Sequence, residues 1–135
     1  KSGTVEVPRL LSSEEHPGLQ HLVSDVQGEL LEDISWSQIF TALSPPGAVS
    51  GAPKSTATQV IAANELPRGP YCGALGWIQG DQAVLSVAIR TFWTDSHINF
   101  GTGAGITWAS DSLAEWEETQ LKARRLISIA GGDLL

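Results

Sequence analysis

The chain has 135 residues, 41% of them hydrophobic, which is enough apolar material for one compact domain and excludes a disordered tail. Acidic residues outnumber basic ones by 15 to 8, and the resulting net charge of −7 argues against a nucleic-acid partner. No apolar run approaches the roughly 18 residues that a membrane-spanning helix needs, so no membrane partner is expected. The single cysteine, Cys72, excludes a disulfide framework and a multi-cysteine zinc site, and a cytoplasmic location is the default expectation.

The chain does not start with a methionine. It contains no methionine and begins with Lys1-Ser2-Gly3. Since a natural reading frame starts with methionine, we expect this chain to be a piece of a longer one.

The first half of the chain predicts strands followed by helices. A loosely alternating segment containing a proline predicts an edge strand or extended arm over residues 4–11. A β-rich segment predicts a second strand over residues 19–31. Apolar residues at helical spacing after Ser35, a candidate N-cap, predict a short helix over residues 36–43. A loop rich in Pro, Gly and Ser follows, and Pro53 then suits the first turn of a helix that extends to Asn64.

The second half switches to strands and ends in a long helix. Three apolar segments, over residues 72–79, 83–93 and 98–108, are separated by turn sequences and predict an antiparallel meander. A helix is predicted from Ser112 to about Ala130, after an N-cap at Ser110 or Asp111 and before a pair of glycines. This order of elements predicts an α+β fold.

The final helix carries the most chemistry. At about 100° per residue, one broad arc is expected to face the core, and it holds Leu113, Trp116, Ala123, Ile127 and Ala130. A second strip holds Glu115, Glu118 and Lys122, and two readings of it stay open. Glu118 and Lys122 could form an ordinary i,i+4 surface pair, or the two carboxylates could bind a hard divalent cation such as Mg²⁺.

Three further features are candidates for ligand binding. The glycine-rich run over residues 101–105 could bring backbone N–H groups close to an anion, or could simply need small residues for packing. Arg90 lies inside an apolar segment, where a carboxylate partner from protein or ligand would explain it; a sheet-edge arginine is the alternative. His21 is a lone histidine in an apolar run, which is more often hydrogen-bonded in a core than catalytic.

Six blocks of the sequence together carry a family resemblance. They are HLVS (21–24), PPGAVSGAPK (45–54), RGPYCGALGWI (68–78), VAIRT (87–91), GTGAGIT (101–107) and SDSLAEWEETQLKA (110–123). In this order and at this spacing they resemble the C-terminal half of the chorismate-utilising enzymes. The resemblance covers nearly the whole chain and implies a C-terminal portion, residues 1–135, of an α+β catalytic domain built on antiparallel sheets.

The resemblance also implies a metal site and catalytic groups. Glu118 matches a direct Mg²⁺ ligand of the family, and Glu115 matches a neighbouring acidic residue of the metal site. Lys122 matches the lysine one turn later, which serves catalysis and substrate binding. His21 matches the histidine near the leaving hydroxyl of the substrate.

Other matching positions are expected to hold chorismate, which is a dicarboxylate. Arg90 and Tyr71 match residues that bind a substrate carboxylate. The backbone of Gly103, Ala104 and Gly105 matches a carboxylate cradle.

The substrate-side loop and the final helix show departures from the family's pattern. Ser50 and Lys54 fall in that loop, and Ser50 stands where threonine is commoner, which keeps the hydroxyl. Leu121 replaces the usual asparagine before the helix lysine. The family's other Mg²⁺ glutamate and its nucleophile or base segment match no part of this chain.

Within the family, RGPYCGALGW, IRTFW and FGTGAGITW are most similar to aminodeoxychorismate synthase component I. That enzyme aminates chorismate with ammonia from a glutamine amidotransferase partner, on the route to p-aminobenzoate and folate. Anthranilate synthase component I is the alternative. A third reading, from another class, is a non-catalytic fragment with half an active site, whose uncovered apolar surface would favour partner contacts or dimerisation.

Overall fold

The computed structural model describes residues 1–17 and 19–132, and it divides into two compact units. The first unit comprises Lys1–Ala42 and the second begins at Leu43. Within the described residues, no helix has both the length and the apolar character needed to cross a membrane.

The first unit contains an antiparallel hairpin of β1 (Glu6–His16) and β2 (Leu19–Gln27). β1 runs beyond the predicted strand 4–11 because its second half pairs continuously with β2. β2 ends before residue 31 because its last partner, Glu6, is the first residue of β1. Both ends of each strand are therefore set by cross-strand pairing, which a local pattern does not encode.

Helix α1 (Trp36–Leu43) has the predicted bounds. The Gln38 backbone N–H donates to Ser35 Oγ at 3.3 Å, and the Ser35 N–H donates to Gln38 Oε1 at 2.8 Å. This reciprocal pair is a capping box, so the predicted N-cap at Ser35 is confirmed.

The second unit contains three further helices and two hairpins. Its helices are α2 (Gly47–Ser50), α3 (Lys54–Asn64) and α4 (Ser112–Ile129). Its strands are β3 (Ala74–Gln79), β4 (Gln82–Val87), β5 (Phe92–Thr94) and β6 (Ile98–Phe100). The α+β class is confirmed, and the predicted loop before α3 holds the short helix α2.

The predicted three-stranded meander is resolved into two separate antiparallel hairpins, β3–β4 and β5–β6. The predicted strand 83–93 is interrupted after Val87, and Arg90 there adopts a left-handed backbone with φ of 54°. This conformation departs from the extended backbone of a strand, and the chain does not return to a strand until Phe92. The predicted strand 98–108 ends at Phe100, and residues 101–107 form an irregular segment.

Helix α4 begins at the predicted position, and Asp111 rather than Ser110 caps it. The Asp111 carboxylate accepts the N–H groups of Leu113 and Ala114 at 3.1 and 2.9 Å. The predicted core arc is wrong at Leu113 and Trp116, whose exposed fractions are 63% and 62%.

The packed face of α4 is instead centred on Ala123, which is 1% exposed. Ala130, also expected in the core, is exposed, whereas Ile127 is half-buried. The half-buried polar residues Glu115, Thr119 and Lys122 lie on the packed side. The helix therefore turns a partly polar face toward the rest of its unit, because the irregular segment beside it offers backbone groups rather than an apolar surface.

We predict that Asp111→Ala lowers the free energy of unfolding by about 1 kcal/mol, because it removes the acceptor for two N–H groups at the start of α4. Chemical denaturation measures the change. Asp111→Asn should retain most of the stability, and Glu117→Ala, which removes the same charge from the exposed side of α4, serves as the control. Equal stabilities of Asp111→Ala and Glu117→Ala would contradict the capping role.

A candidate active site lined by glycines, cations and helix α4

A cavity of about 580 Å³ lies within the second unit. Its walls come from α2, the loop before β3, the break after β4, the irregular segment after β6, and α4. The side chains that matter for its chemistry are Arg68, Tyr71, Arg90, Glu115 and Lys122. Backbone from residues 101–106 forms much of the remaining wall. The structure thus brings Tyr71, Arg90, Lys122 and the glycine-rich segment to one cavity, and their roles in binding stay predictions.

Tyr71 lies directly against the glycine-rich segment. A Cβ added to Gly101 would overlap Tyr71 Cγ, and a Cβ added to Gly103 would lie 3.3 Å from the Tyr71 hydroxyl oxygen. The base of the ring therefore lies at Gly101 and its hydroxyl at Gly103. Glycine is required at position 101 because a side chain there would displace the ring.

The glycine-rich segment is also hydrogen-bonded to α4. The Thr102 hydroxyl donates to the Thr119 backbone oxygen at 3.2 Å, and Lys122 Nζ donates to the Gly103 oxygen at 3.4 Å. Within the described residues, the N–H groups of Gly103, Ala104 and Gly105 have no protein acceptor. These donors beside the cavity are available to an anionic ligand.

Arg90 contributes a cation without a counter-ion. It lies at the break after β4, and among the described residues its guanidinium makes no ion pair or hydrogen bond with the protein. An unpaired guanidinium on a cavity wall can accept a carboxylate through two parallel hydrogen bonds. The alternative of a sheet-edge arginine does not describe it, since Arg90 lies outside the strands.

Two carboxylates of α4, Glu115 and Glu118, both contact neighbouring side chains. Lys122 Nζ lies 3.2 Å from Glu118 Oε1, so the i,i+4 pair forms. Glu115 Oε1 accepts the Ser110 hydroxyl at 2.6 Å and lines the cavity, whereas Glu118 lies outside its lining.

The acidic side chains near the cavity are the candidate ligands for Mg²⁺. Among the described residues, no group of three or more His, Cys, Asp or Glu side chains could hold a metal. Two carboxylates from one helix remain, Glu115 and Glu118. Mg²⁺ typically binds one or two protein carboxylates and keeps waters or substrate oxygens, so two carboxylates suit the chemistry of the ion, and its binding here stays a prediction.

The remaining predicted site residues lie elsewhere. Ser50 ends α2 and is absent from the cavity lining, which takes Ala48 and Val49 from that helix instead. Lys54 begins α3 and donates to the Ser44 backbone oxygen at 3.2 Å. The roles expected for Ser50 and Lys54 stay predictions.

His21 lies on β2 of the first unit, opposite Glu14. Its ring makes an edge contact with that of His16, at 5.3 Å between centroids, and it is exposed rather than packed in a core. Its role beside a leaving hydroxyl stays a prediction.

Sequence reasoning missed the ion pair of Glu65 and Arg68 at the cavity wall. Arg68 Nε and Nη2 donate to the two Glu65 carboxylate oxygens, each at 2.6 Å. These bonds hold the pKa of Glu65 below its ordinary value, so the pair forms at neutral pH and is lost as the pH falls through that lowered pKa. The i,i+3 spacing of opposite charges was the available signal, although α3 ends at Asn64 and the pair lies in a loop.

The chain is similar to several known proteins. A protein-family model described as chorismate binding enzyme matches residues 1–128. Anthranilate synthase component 1 of Saccharolobus solfataricus is 39% identical over 132 residues, which cover 96% of this chain and 31% of that protein. The Aquifex aeolicus protein of the same name is 41% identical over 131 residues, covering 94% of this chain and 26% of that protein.

A solved structure is also similar. The crystal structure of anthranilate synthase component I from Streptococcus pneumoniae TIGR4 superposes with a TM-score of 0.77 at 34% identity, covering 91% of this chain and 29% of that one. The chain thus spans about a third or less of the length of the relatives it matches.

We predict that Gly101→Ala destabilises the chain by about 1–3 kcal/mol, because the added methyl group overlaps the Tyr71 ring. Gly105→Ala is the matched control, since a Cβ there meets nothing within 4 Å. We expect the control to change stability by less than about 0.5 kcal/mol. Denaturant unfolding of both variants checks the difference, and equal effects would refute the close contact.

Proposed function

The chain belongs to the chorismate-binding enzyme family, and we propose that it forms the carboxylate-binding wall and part of the Mg²⁺ site of an enzyme that transfers ammonia to chorismate. The observation that carries this proposal is the Arg90 guanidinium, which has no partner among residues 1–17 and 19–132, on a cavity where the N–H groups of Gly103, Ala104 and Gly105 likewise find no acceptor in those residues. An anionic ligand is the chemical complement of such a wall, although the chain as a whole has a net charge of −7.

Each group of this wall has a role in the proposed reaction. Arg90 binds one substrate carboxylate through its two-pronged guanidinium, and the backbone donors of the glycine-rich segment bind it from another side. The Tyr71 hydroxyl, held at Gly103, donates a further hydrogen bond. Lys122, anchored between Glu118 and Gly103, adds positive charge at the edge of the cavity.

Mg²⁺, when bound at Glu118 and Glu115, would supply orientation and Lewis-acid stabilisation to the ring carboxylate and the departing hydroxyl. His21 is proposed to exchange a proton with that hydroxyl. A glutamine amidotransferase subunit or domain is the proposed ammonia donor.

For the reaction itself, the similarity to proteins named anthranilate synthase component 1 or I favours that activity. We therefore propose anthranilate formation first. Amination to aminodeoxychorismate is retained as the second candidate, because it rests on the three sequence blocks RGPYCGALGW, IRTFW and FGTGAGITW.

Product identification tests the proposal. The full-length protein is incubated with chorismate, ammonia and Mg²⁺, and the products are separated and identified. Anthranilate with pyruvate supports the first candidate, and aminodeoxychorismate supports the second. No consumption of chorismate would overturn both. Turnover by the 135-residue chain alone would exclude the third reading, a non-catalytic fragment.

We predict that Arg90→Gln weakens chorismate binding about 10- to 150-fold, the loss expected when a charged hydrogen-bonding partner worth about 1.5–3 kcal/mol is removed. Equilibrium titration with chorismate measures the affinity. Arg124→Gln, which removes the same charge from an exposed position of α4 outside the cavity, is expected to leave it within about twofold. Similar losses in both variants would indicate general electrostatics rather than a carboxylate site.

We predict that Glu118→Gln raises the Mg²⁺ concentration needed for half-maximal activity of the full-length protein by about tenfold or more, because a neutral amide is a poorer ligand for a hard cation. The adjacent Glu117→Gln has the same change in charge and should behave as wild type. Circular dichroism confirms that both variants are folded. An unchanged Mg²⁺ requirement in Glu118→Gln would refute the metal assignment.

A further inference from the structure

The loop before β3 contains Arg68, whose positive charge is already paired with a carboxylate. Arg68 is bound by both oxygens of Glu65 at 2.6 Å, and its side chain is 24% exposed. Its remaining polar contact is between Nη1 and the sulfur of Cys72, at 3.9 Å. Arg68 thus differs from Arg90, although both line the cavity. A guanidinium neutralised by a bidentate carboxylate is a poor receptor for a ligand carboxylate.

The same guanidinium lies over the ring of Tyr71. The central carbon of the Arg68 guanidinium is 5.7 Å from the ring centroid, within the range of a cation–π contact. The Tyr71 N–H also donates to the Arg68 backbone oxygen at 3.2 Å. Glu65 therefore holds the Arg68 side chain, and Arg68 in turn contacts the tyrosine through both backbone and side chain.

The loop that carries Tyr71 is itself fixed on the protein. Cys72 is buried, and its N–H donates to the Ala88 oxygen at 3.0 Å. The Ala88 N–H donates to the Gly73 oxygen at 2.8 Å, so the loop continues the pairing of the β3–β4 hairpin. With its backbone fixed in this way, the freedom that remains to Tyr71 is rotation of its side chain.

We propose that Arg68, locked by Glu65, is a positioning residue that holds the Tyr71 ring against Gly101 and its hydroxyl beside Gly103. Without the guanidinium, one contact surface of the ring is lost and the side chain can rotate toward solvent. The purpose of this placement, donation of a hydrogen bond to a substrate carboxylate, rests on the proposed function. The placement itself is testable without any substrate.

Titration of Tyr71 distinguishes two roles of Arg68, which either only adds positive charge or holds the ring in place. The two roles predict opposite shifts of the Tyr71 pKa when Arg68 is removed. Partial burial is the largest cause that raises the pKa of the Tyr71 phenol, the neighbouring Cys72 and Glu65 raise it further, and the positive charge of Arg68 lowers it. If Arg68 only adds charge, its removal leaves burial unopposed and the pKa rises further. If Arg68 holds the ring, its removal exposes the phenol and the pKa falls toward its ordinary value.

Tyr71 is the only tyrosine of the chain, so tyrosinate absorbance during alkaline titration reports this side chain alone. The proposal predicts a downward shift of the pKa in Arg68→Met, whose side chain keeps bulk without the guanidinium. Arg68→Lys keeps the charge but lacks the planar fork, so it should not restore the wild-type value. Arg124→Met is the control for charge and should leave the titration unchanged.

A second variant protects the test against a failure of Arg68→Met to fold. Arg68→Lys fills this role, because it keeps the positive charge that lowers the Tyr71 pKa but lacks the planar guanidinium. The proposal predicts a downward shift of the pKa in this variant, whereas a purely electrostatic role predicts the wild-type value. Far-ultraviolet circular dichroism over the titrated range confirms the folded state. A rise, or no change, in the folded variants overturns the proposal.

Measurements of chorismate affinity distinguish the positioning role of Arg68 from the proposed function of the whole site. Arg68→Met should weaken chorismate binding roughly two- to fivefold, the equivalent of a lost exposed cation–π contact. In a Tyr71→Phe background the same substitution should add little, because the hydroxyl that Arg68 positions is already absent. Full additivity overturns the positioning role. A wild-type chain that shows the titration shifts but binds no chorismate would refute the proposed function and leave the positioning role supported.

Discussion

The close contact between Tyr71 and the glycine-rich segment is the constraint on which the rest of the site depends. A methyl group at Gly101 would occupy the space of the ring, so this part of the cavity wall can exist only with glycine there. The contact aligns the tyrosine hydroxyl with Gly103, and the lysine of α4 reaches the same glycine from the helix side. One short backbone segment thereby contacts the Tyr71 ring on one side and accepts a hydrogen bond from Lys122 of α4 on the other.

Charge within the cavity is divided between structural and available groups. Arg68 is neutralised by the two oxygens of Glu65, whereas Lys122 contacts one oxygen of Glu118 and the backbone oxygen of Gly103. Arg90, in the part of the chain that the structure describes, keeps its charge unpaired. An acidic protein can therefore present an anion-binding wall, because the local arrangement of donors, and not the net charge, determines what the cavity attracts.

Regions that break regular structure carry the chemistry of the second unit. Arg90 has a left-handed backbone where β4 ends, and Cys72 has one just before β3 begins. Two hairpins, instead of a continuous meander, leave these breaks and the irregular segment after β6 open to the cavity. Strand residues have their backbone groups committed to a ladder, whereas residues 103–105 have free N–H groups for a ligand.

The sequence by itself determined several of the local elements, the α+β class and the family. Helix α1 and its Ser35 cap, the start of α4 and the β3–β4 turn follow from spacing and capping chemistry within a few residues. Tertiary structure alone decided that Trp116 is exposed while Glu115 faces the cavity, that Arg90 has no counter-ion among the described residues, and that Tyr71 meets Gly101. These outcomes depend on contacts between residues far apart in the chain, and no local pattern contains them.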